Sequence, residues 1–168
     1  MLTAVSQSPE LQTRIGAAFS CFGWVMLFVG TGLGSAQIGS LFGLVYHLSL
    51  APVVANLRAP SWATMAGFVW IYSDAVLDVA RLNNLDEEII WAFRLGIHVA
   101  AAIWIIGTSL NMPLRMKLPG ILLGSYLALH AVLSPYLPDS ELVLGVTAIP
   151  LMVIWLLTIA CSYSHTKF

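Results

Sequence analysis

Asp74, Asp78, Arg94 and His98 stand in stretches that otherwise read as lipid-buried. Ionisable side chains are costly in hydrocarbon and usually face an interior site, so these four are the first candidates for binding a ligand or ion. Asp74 and Asp78 are four residues apart, as are Arg94 and His98, and residues i and i+4 share one helix face. In an antiparallel hairpin turning near Asp86, residues equally far from the turn lie at one depth, because both helices rise ~1.5 Å per residue. Asp78 then meets Arg94, Asp74 meets His98, and Arg81 extends the aspartate stripe. Unpaired, the two aspartates would together oppose insertion by ~5–7 kcal/mol, which about a dozen apolar neighbours at ~0.3–0.6 kcal/mol each only just offset. Pairing is therefore expected.

His47 and His130 fall at related depths in their own apolar stretches, so His47, Asp74, His98 and His130 could converge in one layer. Four chemistries are open to these residues. Asp74 and Asp78 could accept a proton or cation, with Arg94 as counter-charge and His98 as relay. His47, His98 and His130, with Asp74, are suitable ligands for zinc or iron. Histidines on facing helices could hold a haem b, with His98 and His130 the leading pair. The aspartates could also act as general acid and base on an apolar substrate. Alternatively, the same side chains hold the helices together and do no chemistry. His165 reads as a solvated tail residue. No HExxH, Walker loop, GxSxG elbow or dinucleotide fingerprint accompanies the group.

The elements that must position these residues follow from composition. The chain has 168 residues, 59% hydrophobic and 9% charged, with a mean hydropathy of +0.88. A soluble domain would carry about a quarter charged residues. The expectation is an all-α integral membrane protein: a short polar segment at 1–13, one transmembrane domain at 14–161 and a short cytoplasmic tail at 162–168. Residues 1–13 lack a basic stretch, so the first span reads as an uncleaved anchor.

Six spans fit, at 15–33, 36–57, 61–82, 88–110, 119–137 and 140–161. Gly32, Gly34 and Ser35 make the first turn, Pro60 opens the third span, and Asn83–Asn84 breaks the chain before Asp86, Glu87 and Glu88. Pro113 ends the fourth span and Pro119 opens the fifth. Pro135 and Pro138 close the fifth, Asp139 or Ser140 caps the sixth, and Pro52 and Pro150 kink their helices. With both termini in the cytoplasm, Arg14, Arg58, Arg115, Lys117 and Lys167 lie inside, and of the span-flanking cations only Arg81 lies near an outer end. The localisation expected is a multi-pass protein of the plasma membrane, the inner one in a bacterium.

Gly30-x3-Gly34, Gly39-x3-Gly43 and Gly120-x3-Gly124 offer close-packing faces, between helices of one chain or in a homo-oligomer. His47 and His130 each open an H-x-x-L-x-P pattern in spans two and five, a hint of inverted three-span halves. Cys21 and Cys161 form no motif and read as packing residues. Trp62 and Trp91 read as interface anchors, and an aromatic ligand cage is the alternative use of the six tryptophans. The near-neutral charge argues against nucleic acid.

The function expected is binding or transport of a small ligand or ion, coupled to protons. The alternatives are a membrane enzyme acting on a lipid or isoprenoid, a haem b electron-transfer subunit, and a non-catalytic subunit or assembly factor of a larger membrane complex.

Overall fold

The computed structural model describes residues 8–136 and 141–163, the side chains of 141–146 excepted. Six helical rods follow one another: α1 (Pro9–Gly32), a rod broken at Leu50 into α2 (Ala36–Ser49) and α3 (Ala51–Asn56), α4 (Ser61–Leu82), α5 (Glu87–Ser109), α6 (Leu114–Leu133) and α7 (Glu141–Ser162). A 3-10 turn at Ser134–Tyr136 extends α6. No strand occurs among the described residues. Five of the rods are long and apolar enough to cross a membrane, and α7 is apolar from Thr147 to Ser162.

Local chemistry sets the ends. The first helix begins at Pro9, earlier than the apolar run suggests. Ser8 Oγ accepts the Leu11 N–H at 3.3 Å, Pro9 fits the first turn and Glu10 suits the positive helix end. The segment expected to be merely polar is thus helical from Pro9. The turn after α1 uses Gly34 at φ +79°, a backbone region that disfavours a Cβ. Ser35 then caps α2 through the Ile38 N–H at 3.3 Å. Pro52 breaks the second rod as expected. Asn84, at φ 61°, turns the chain between α4 and α5, and Asp86 Oδ1 caps α5 through the Glu88 N–H at 2.8 Å.

The fifth rod differs from expectation. It starts at Leu114, immediately after an extended Pro113, and Pro119 lies within it. Leu114, Arg115, Met116 and Lys117 form an amphipathic first turn directly after Pro113, so the helix begins five residues before Pro119. Pro138 and the Asp139 or Ser140 cap lie outside the described residues.

The rods close into a ring in chain order. The α1 helix packs on α2, α2 on α4, α4 on α5, α5 on α6, α6 on α7, and α7 returns to α1. Small residues permit the close approaches. A Cβ on Gly30 would stand 2.9 Å from the Gly39 nitrogen, and one on Gly23 would stand 2.9 Å from that of Tyr46. The glycine faces at Gly30, Gly39, Gly120 and Gly124 are therefore used within the chain.

Inside the ring, Trp70, Trp104 and Trp155 form a buried run with centroids 5.6 and 5.4 Å apart. The outward surface carries Phe19, Met65, Val76, Phe93 and Leu129, large apolar side chains left exposed. Trp62 is exposed at the start of α4, Cys21 is a buried free thiol, and Cys161 is an exposed one.

Candidate functional site

Asp74 and Asp78 sit one turn apart on the inner face of α4, at 1% and 0% exposure. Arg94 reaches both from α5. Its Nε donates to Asp74 Oδ1 at 3.0 Å and its Nη2 to Asp78 Oδ1 at 2.7 Å. A guanidinium fork can do this because i and i+4 side chains emerge ~6 Å apart and its donors diverge in one plane.

The outer oxygens of the two carboxylates face His47 on α2. Its Nδ1 lies 2.9 Å from Asp78 Oδ2, and its Nε2 lies 3.4 Å from Asp74 Oδ2. Trp70 completes the shell, donating Nε1–H to Asp74 Oδ2 at 2.8 Å. Gly43, one turn before His47, leaves the space that Asp78 fills; a Cβ there would stand 2.6 Å from Asp78 Oδ2. Three elements thus meet in a buried layer of two carboxylates, a guanidinium and an imidazole.

Of the matched pairs in the hairpin, Asp78 with Arg94 is present as a direct bond. Asp74 bonds Arg94, His47 and Trp70 instead of His98. The depth was right, but His98 turns along α5 toward α6, where its ring lies 5.6 Å from that of His130. The four-residue layer accordingly divides in two, with His47 on the aspartates and His98 beside His130. Arg81 leaves the stripe as well, and makes a forked pair across the turn with Glu87 at 2.8 and 2.7 Å.

A cavity of about 270 Å³ opens beside the layer, inside the ring and toward the Asn84 end. Arg94, His98 and Arg81 line it from α4 and α5, His130 and Tyr126 from α6, and Trp24 and Phe28 from α1. Trp91, expected as an interface anchor, also lines it, with its ring 6.0 Å from His130. A larger groove of about 540 Å³, walled by Val76, Leu85, Phe93 and Ile97, is apolar and lies on the outer face of the α4–α5 hairpin. The charged layer does not line it.

The donor set can be tested against the groups considered above. Among the described residues no three His, Cys, Asp or Glu side chains are arranged to hold a metal ion. Arg94 takes the inner carboxylate oxygens, and the histidines are split between two places. The cavity beside His98 and His130, at about 270 Å³, falls below the ~300–1,000 Å³ of sites that take cofactor-sized ligands, so a haem b does not fit it.

Sequence reasoning missed Trp70 and Gly43 as members of the site. The Trp70–Asp74 spacing of four was a signal for the first. No protein-family model matches the chain, and comparison with curated proteins and with solved structures finds no similar one.

Proposed function

We propose that this chain is a multi-pass membrane protein that binds or transports a small ligand or ion and couples that event to one proton held between His47, Asp74 and Asp78. The carrying observation is that both ring nitrogens of His47 face carboxylate oxygens. A neutral imidazole has a single N–H and can donate to only one of them. Filling both contacts takes one further proton, on His47 or on a carboxyl. Charge counting agrees: two aspartates and Arg94 leave one negative charge, which an imidazolium cancels. Burial makes an unbalanced charge expensive, so a layer that alternates between balanced and unbalanced states can drive a change nearby. Loop charges favour a cytoplasmic location for both termini, which puts the cavity in the outer half of the bilayer.

A second reading has an observation of its own. Asp74, Asp78, Arg94 and His47 bond one another and tie α2, α4 and α5 together, as a static staple in a subunit or assembly factor would. Nitrogen NMR of ¹⁵N-histidine-labelled protein in lipid nanodiscs separates the two, with the His47 signal assigned by its loss in His47→Gln. A proton-coupled site exchanges the doubly protonated ring for a neutral one between about pH 5 and 9. A His47 signal fixed in either form across that range, together with ¹³C carboxyl signals of Asp74 and Asp78 that do not change either, identifies the staple and sinks the coupling.

A further inference from the structure

The cavity beside the charged layer has a composition that selects among ligands. Among its described lining residues, Arg81, Arg94, His98 and His130 are basic and none is acidic. Asp74 and Asp78 lie behind the guanidinium of Arg94, whose hydrogen bonds to them use Nε and Nη2, so Nη1 takes no part in either. Trp24, Phe28, Trp91 and Tyr126 supply the remaining wall, and about 270 Å³ is room for one compact ring system. Arg81 is already paired with the exposed Glu87 at the rim, so the guanidinium edge that selects the ligand is that of Arg94, which stands between the cavity and the carboxylates of Asp74 and Asp78. An organic anion meets charge-assisted donors at one end and aromatic faces at the other.

Resting on the proton-coupled reading of the layer, we propose that the cavity binds a small organic carboxylate with an aromatic or otherwise apolar body, and that it binds together with the proton of the His47 layer. The coupling is electrostatic. Without the proton the layer carries one net negative charge next to the ligand, and with it none. Anion and proton therefore favour each other's binding, and the proton comes from bulk water. The groups that set this equilibrium around His47 are Asp74 and Asp78 from α4, Arg94 and His98 from α5, and Tyr46 beside it on α2. The ionisable side chain of α1 nearest in register is the buried thiol of Cys21.

The test compares benzoate, benzamide and benzylammonium by calorimetry on the full chain in nanodiscs at about pH 6 and 8. Benzoate is expected to bind about tenfold or more tighter than either relative, the worth of one charge-assisted hydrogen bond, and tighter at the lower pH. Arg81→Gln, on the rim, should weaken benzoate severalfold and leave benzamide unchanged. It breaks the pair with Glu87, an exposed ion pair that contributes little to stability, and leaves the charged layer intact; the His47 NMR signal verifies the fold. Benzylammonium binding as well as or better than benzoate, equal binding of all three, or no binding of any overturns the carboxylate site. Benzoate binding that ignores pH overturns the linkage. If the His47 signal still exchanges its proton in those cases, the proton-coupled reading stands and only the ligand assignment falls.

Discussion

Gly43→Ala is the substitution whose outcome depends most directly on the geometry of the charged layer. A methyl group there would stand 2.6 Å from Asp78 Oδ2, about 0.8 Å short of an ordinary contact. The carboxylate cannot retreat freely, because Arg94 holds Oδ1 at 2.7 Å and His47 holds Oδ2 at 2.9 Å. A shift of that size along either bond takes it to or beyond the limit of hydrogen bonding. Losing one charge-assisted bond is worth ~1.5–3 kcal/mol, against a gain of up to ~1 kcal/mol from replacing a helical glycine by alanine. The expected result is a net loss of about 1–2 kcal/mol in reversible unfolding from mixed detergent–lipid micelles. Gly96→Ala is the control: nothing lies within 4 Å of its Cβ, so only the helix gain remains. In an Asp78→Ala background the clash disappears, and Gly43→Ala should become neutral or stabilising, a coupling of ~1–3 kcal/mol. The same cost in both backgrounds would refute the packing of Asp78 against Gly43.

Arg94→Met should lower stability by ~3–5 kcal/mol by stranding two buried carboxylates, and Asp74→Asn with Asp78→Asn in the same chain should restore much of it, read from unfolding midpoints. Trp70→Phe removes the donor to Asp74 and should be ~1–2 kcal/mol more costly than Trp104→Phe, since Trp104 Nε1 has no hydrogen-bond partner among the described residues. Gly34→Ala should destabilise by ~1 kcal/mol because of its φ of +79°, whereas helical, open Gly32→Ala should not; thermal unfolding of the pair checks this.

Depth along the helices was legible in the sequence, and direction around them was not. Equal distance from the Asp86 turn correctly joined Asp78 to Arg94, because rise per residue is nearly invariant. It failed for Asp74 and His98, because each residue also rotates the side chain by ~100° and only the packing partner reveals which face is used. His47 was found at the right depth, but its bonding to both aspartates depends on α2 lying against α4. Gly43 stood out as half of a small-residue pair, yet its neighbour is a carboxylate, which no single helix discloses. Caps carried more information than hydropathy did: Ser8, Pro9 and Glu10 marked the start of α1 within a segment that composition alone had left unstructured.

The closed ring also sets an order in time. A chain emerging from the ribosome has every member of the charged layer once α5 is complete, because His47, Trp70, Asp74, Asp78 and Arg94 all precede Ser109. The cavity must wait for α6 and α7, which supply His130, Tyr126 and Ala148 to its wall. A half-made chain can therefore pair its buried aspartates early, while the cavity comes into being only when the last helix returns to the first.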